Sequence, residues 1–173
     1  MKKIKGDVME KRKVVQEELK NEFGELEGIF IPNYRKKEHF LTNPEYKLFR
    51  TLKEIYKDDN NIEIFVQVAL NQILEFNNER AKQYFSYFKL EDRSIDFVIY
   101  NTNKKNIGIL YCIELNDKSH ESDDRRERDK ILSKMFETAK IELKFIKLED
   151  IEKDIVNNKE YFNIDSVKKH LGI

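Results

Sequence analysis

Two apolar runs separated by a short polar stretch restrict this chain more than any other feature. They are Arg93-Ser94-Ile95-Asp96-Phe97-Val98-Ile99-Tyr100 and Ile107-Gly108-Ile109-Leu110-Tyr111-Cys112-Ile113-Glu114-Leu115. Both are short and rich in β-branched and aromatic residues, which favours strands over helices. The second is nearly unbroken in its apolarity, as expected of a strand covered on both faces. Residues 101–106 are polar and rich in Asn and Lys, so the two runs predict a β-hairpin. Each run carries one acid. Asp96 lies near the start of the first strand and Glu114 near the end of the second, so antiparallel pairing brings both carboxylates to one end of the sheet.

The surroundings extend this hairpin into a domain. Leu41-Thr42-Asn43-Pro44-Glu45 is a helix start, with Thr42 or Asn43 as N-cap, Pro44 in the first turn and Glu45 completing a capping box. Leu48, Phe49, Leu52, Ile55 and Tyr56 then recur at helical spacing, predicting a helix over 43–57. Asp58-Asp59-Asn60-Asn61 marks a turn, and 62–70 reads as a strand. Residues 71–90 predict a short helix and an aromatic-rich loop. Residues 121–140 open highly charged and then place Ile131, Leu132, Met135, Phe136 and Ala139 on one face of a helix. Residues 142–148 alternate as a fourth strand, reached by a crossover that implies parallel pairing. The order α-β-β-β-α-β predicts an α/β fold with a mixed central sheet flanked by helices. Residues 1–40 read as an N-terminal helix over 7–23 plus a connector whose Ile29-Phe30-Ile31-Pro32 run could pack against the domain or extend an edge strand. The core is 41–150, and 151–173 reads as a helical tail.

Composition narrows the partners. Lys plus Arg and Asp plus Glu number 33 each, giving a formal net charge of zero. No whole-molecule field draws the chain to a polyanion, so a nucleic-acid site needs a local basic patch. Charged residues make up 38% of the chain, yet twelve Phe and eight Tyr supply enough apolar area for a core. The single cysteine, Cys112, allows no internal disulfide and fits a reducing cytoplasm. The basic N-terminus lacks the apolar region of a secretion signal, and no run approaches the ~20 apolar residues of a membrane span. The expectation is a soluble cytoplasmic protein with no membrane partner.

Two carboxylates brought together repel, which raises one pKa unless a cation neutralises them. Such oxygen ligands suit Mg²⁺ or Mn²⁺, the minimum apparatus for phosphodiester hydrolysis. The plain alternative is a pair of strand-end acids in solvent. His120 is a candidate proton carrier or phosphate ligand, and Lys118 a candidate positive charge for phosphate; both also suit an ordinary surface loop. Gln67 is polar within Phe65-Val66-Gln67-Val68 and is placed to line the same site, or to be a half-exposed strand residue. Glu45 either faces the site or serves only its capping box. Arg125, Arg126 and Arg128 open the crossover helix and can meet a nucleic-acid backbone, or form a solvated face of i,i+4 pairs.

Leu41 to Glu45 with Leu48-Phe49, Val66-Gln67-Val68, Ser94 to Ile99, and Ile113-Glu114-Leu115-Asn116-Asp117-Lys118-Ser119-His120 followed by Arg125 to Asp129 resemble the bacterial family called domain of unknown function 2726. The resemblance covers about residues 40–148. That family in turn is similar to the PD-(D/E)XK nuclease superfamily, especially its very-short-patch-repair branch. The resemblance implies a restriction-endonuclease-like core, a metal-dependent nuclease acting on DNA, and Asp96 and Glu114 as metal ligands. It matches His120 to the branch's histidine and Glu45 to the acid on the first core helix. The superfamily's lysine falls at position 116, where this chain has Asn116, and Lys118 is a candidate to substitute for it spatially. Many such nucleases act as homodimers to cut two strands, although no residue pattern here demands one. The second reading is a catalytically inactive nuclease fold that binds nucleic acid or protein.

Overall fold

A computed structural model describes residues 23–26, 29–32, 34–76, 93–116 and 123–173. The chain divides into two compact units, Met1–Phe40 and Leu41–Ile173. In the first, strands β1 (Phe23–Leu26) and β2 (Ile29–Pro32) pair antiparallel, Leu26 opposite Ile29. The Ile29–Pro32 run therefore does form a strand, in a two-stranded sheet of its own. The helix expected over 7–23 lies outside the described residues except at Phe23, which is in β1.

The second unit follows the expected element order. Helix α1 (Asn43–Ile55) begins at a complete capping box: the Thr42 hydroxyl accepts from the Glu45 amide, and a Glu45 carboxylate oxygen accepts from the Thr42 amide at 2.7 Å. Leu48 and Leu52 form its buried stripe. Strands β3 (Ile62–Ala69), β4 (Ser94–Asn101), β5 (Gly108–Asn116) and β6 (Leu143–Lys147) form one sheet in that order. The first two pairings are antiparallel and β5–β6 is parallel, as a helical crossover requires. Helix α2 (Asp123–Ala139) supplies that crossover. Gly108 opens β5 at φ +149, a conformation that side chains rarely adopt. In place of the short helix expected after β3 stands a single 3₁₀ turn, Leu70–Gln72; residues 77–92, with most of the aromatic loop, lie outside the described residues.

Helices cover the sheet from two sides. Leu48, Leu52, Phe97, Ile99, Tyr111, Ile113 and Ile146 make one buried cluster, and Leu70, Ile95, Val98, Cys112, Leu132 and Phe136 make the other. Asp96 and Glu114 therefore arise from strands that are apolar on both sides. Burial pushes the Cys112 thiol up to about 12 and makes it an inert packing group. No helix among the described residues is long and apolar enough to cross a membrane.

The segment after residue 149 corrects the expectation of a purely helical tail. A 3₁₀ turn at Leu148–Asp150 leads into a hairpin of β7 (Lys153–Val156) and β8 (Lys159–Phe162), and only then comes α3 (Ile164–Leu171). Asn157 and Asn158 both take positive φ, the requirement of the tightest hairpin turns, which Asn tolerates better than most residues. Ile151, Phe162, Val167 and Leu171 join the cluster beneath α1. Thr51 donates to the Phe162 carbonyl and Lys47 pairs with Glu160 at 2.6 Å. The C-terminal segment is thus part of the core's cover. Leu171→Ala, at a fully buried position, is expected to cost about 2–5 kcal/mol in denaturant unfolding. Ile155→Ala, at a position 77% exposed, should stay within about 0.5 kcal/mol. Equal effects would show that the segment does not belong to the core.

Candidate functional site

The β4–β5 register places Phe97 opposite Ile113, so Asp96 and Glu114 are neighbours at the same end of the hairpin. One Asp96 oxygen accepts from the Leu115 amide at 2.8 Å and the other from the Gln67 side-chain amide at 3.0 Å. Gln67 stands at the position across from Asp96, between the paired Val66–Phe97 and Val68–Ile95. Its φ is +51, an uncommon conformation for a non-glycine residue inside a strand and one that costs on the order of 1–3 kcal/mol. That distortion coincides with a slip in the pleat: Ile95 and Phe97, two residues apart, belong to different core clusters.

The Gln67 side chain organises three groups. Its Nε2 donates to Asp96 and to Glu45, the latter at 3.2 Å, and its Oε1 accepts from Ser94 Oγ at 2.8 Å. Glu45 therefore does both things the sequence suggested, one oxygen capping α1 and the other meeting the site through Gln67.

Glu114 is the less satisfied acid. Its Oε2 is buried with no hydrogen-bond partner among the described residues, while its Oε1 lies 3.6 Å from an Arg128 nitrogen. Arg128 also pairs with Asp129 at 3.3 Å, and Asn116 reaches the other Asp129 oxygen at 3.5 Å. Burial, and then the negative charge of Asp96, push Glu114 up to about 8, with Arg128 opposing. Burial also raises Asp96, with the Leu115 amide opposing it.

The structure thus brings Asp96, Glu114, Gln67, Glu45, Asn116 and Arg128 into one network. Arg126 is exposed. Arg125 is in α2, but its side chain, like all of Lys118 and His120, lies outside the described residues. Sequence reasoning overlooked Ser94 and Asp129. Ser94 was legible as the polar residue two before Asp96, whereas Asp129 was hidden within a charged run.

The donor set fits a small divalent cation. A buried carboxylate with an orphaned oxygen beside a second carboxylate is what a hard cation relieves. Among the described residues no three His, Cys, Asp or Glu side chains form a metal-holding group, so the fit is to an open site with carboxylate ligands from Asp96 and Glu114. Mg²⁺ commonly binds in this way, keeping several waters.

A family profile described as protein of unknown function (DUF2726) matches residues 37–163. No curated protein and no solved structure matches the chain. The chain belongs to the DUF2726 family.

The raised acid gives a stability prediction of definite sign. In metal-free protein the native state keeps a proton on Glu114 that the unfolded chain releases from its ordinary carboxylate range upward. The stability this provides is present at acid pH and is lost as pH rises toward about 8. In EDTA, Glu114→Gln should match wild type near pH 5 and exceed it by roughly 1–3 kcal/mol near pH 9. Denaturant unfolding across that range checks it. Parallel curves for the two proteins would show that Glu114 is not an uncompensated buried charge.

Proposed function

With membership of the DUF2726 family as the premise, we propose that this protein is a metal-dependent nuclease that hydrolyses phosphodiester bonds in DNA. The observation that carries the reading is the half-buried Glu114 side chain beside Asp96, whose buried Oε2 has no hydrogen-bond partner among the described residues. The mixed sheet with β4–β5 antiparallel and β5–β6 parallel supports a restriction-endonuclease-like core, with the acids at the end of the hairpin where that resemblance expects them.

Asp96 and Glu114 would hold Mg²⁺ or Mn²⁺, which polarises a phosphoryl oxygen and lowers the pKa of bound water. Gln67 fixes the Asp96 carboxylate through one hydrogen bond and is itself fixed by Ser94. Glu45 buttresses Gln67 from the capped start of α1. Arg128 carries positive charge beside Glu114 and suits a phosphate oxygen. His120 follows the Glu114 strand by a few residues and is the proton carrier in this reading. Asn116 stands where the superfamily places lysine, and its amide turns to Asp129. This favours proton transfer by water or His120 over transfer by a residue at position 116. A reducing cytoplasm suits the buried free Cys112, and a homodimer would allow both strands to be cut.

Asn116 also favours a second reading, a nuclease fold that binds nucleic acid without cutting it. Plasmid DNA incubated with the full chain and Mn²⁺ separates the two. The nuclease reading expects nicking that EDTA abolishes and that Asp96→Ala lowers by about 10²-fold or more while the variant stays folded by circular dichroism. Salt-dependent retardation of DNA without any cleavage would favour the second reading. Wild-type cleavage by Asp96→Ala would overturn the site.

A further inference from the structure

A cleft of about 230 Å³ opens beside Glu114, lined by Leu70, Arg93, Ser94, Glu114, Arg128 and Leu132. Two arginines line this small volume. Arg128 is committed to Glu114 and Asp129. Arg93 is not: it is half-buried, and its guanidinium makes no hydrogen bond or ion pair among the described residues. Its backbone is well fixed, because the Arg93 carbonyl accepts from the Leu70 amide at 2.9 Å at the point where β3 ends and β4 begins. A half-buried arginine with an anchored main chain and no carboxylate partner among the described residues is a donor fork open to an anion.

The walls define the ligand's class. Leu70 and Leu132 are 2% and 5% exposed and give the cleft an apolar floor, which strengthens charge interactions above it. The volume lies below the roughly 300–1,000 Å³ of pockets that enclose a whole small-molecule ligand. It suits one charged group of a larger molecule. Ser94 belongs to both places: it lines the cleft and its hydroxyl holds Gln67, which holds Asp96. The cleft is thus continuous with the acid pair.

We propose that Arg93 and Arg128 form a phosphate subsite that seats a phosphodiester of the nucleic-acid backbone against Glu114. This deepens the nuclease reading and rests on it for the identity of the ligand. Arg93 is a residue that the charged run of α2 gives no reason to suspect. A cation on Glu114 would compete with the 3.6 Å Arg128 contact and so turn Arg128 toward the same phosphate.

The test measures binding apart from cleavage. A fluorescein-labelled 20-base-pair DNA duplex and a single-stranded RNA of equal length are titrated with the full chain in EDTA, from 50 to 200 mM KCl. The expected result is that Arg93→Ala and Arg93→Gln weaken binding about tenfold at low salt, alike for unrelated sequences. Each should reduce the slope of log affinity against log salt by about one. Arg93→Lys should recover the slope. Mn²⁺ binding, read by titration calorimetry, should be unchanged in all three. Unaltered affinity and slope in both Arg93→Ala and Arg93→Gln would overturn the subsite, and so would a wild-type protein that binds neither probe. If the slope falls as expected but Mn²⁺ neither binds nor supports cleavage, the subsite stands and the nuclease reading fails.

Discussion

The site depends on one constraint: two carboxylates are held at the end of a sheet that is apolar on both faces. Strands β4 and β5 must be apolar to sit between α1 and α2, and that same environment withholds water from Asp96 and Glu114. Asp96 is compensated by the Leu115 amide and by Gln67. Glu114 has a long contact to Arg128 and a minor contribution from the Asp96 backbone amide, and one of its oxygens has no hydrogen-bond partner among the described residues. An unpaired buried charge of this kind costs several kcal/mol when ionised, so the metal-free state favours the protonated acid. A cation reverses that preference. Under the proposed function, the groups that destabilise the metal-free protein are those that would hold an ion.

The elements around the pair are arranged to keep it there. Gln67 adopts a left-handed backbone inside a strand, and its side chain bonds Ser94, Asp96 and Glu45 at once. Strain of this type persists only where the surroundings over-determine it. Here the Glu45 carboxylate is fixed at the N-terminus of α1 by Thr42. The rigidity of a capped helix is thereby transmitted to an acid on β4 through a single amide. The hairpin β7–β8 and helix α3 complete the core beside α1, so among the described residues the C-terminal segment contributes packing rather than a group of the site.

Local chemistry made much of this legible. The capping box from Thr42 to Glu45 needs only neighbours in sequence, and the apolar runs that hold Asp96 and Glu114 reveal β4 and β5 without knowledge of their partners. The hairpin at 153–162 was harder to see. Its strands have four residues each and are mostly exposed, so they lack an apolar rhythm, and their main signal is the Asn157-Asn158 pair. The positive φ of Gln67 is imposed by its place opposite Asp96 and leaves no mark in composition. Among the arginines, Arg128 turns toward Glu114 while Arg126 is exposed, since residues two apart on a helix lie on nearly opposite faces. Arg93 reads as an ordinary strand-end cation until the fold shows that it has no counter-ion among the described residues.

The most direct measurement is the position of a metal. A crystal of the full chain soaked in Mn²⁺ and measured for anomalous scattering should show an ion within about 2.0–2.6 Å of oxygens from both Asp96 and Glu114, with Glu114 Oε2 among its ligands. No anomalous density there at millimolar Mn²⁺, with both carboxylates well ordered, would contradict the account.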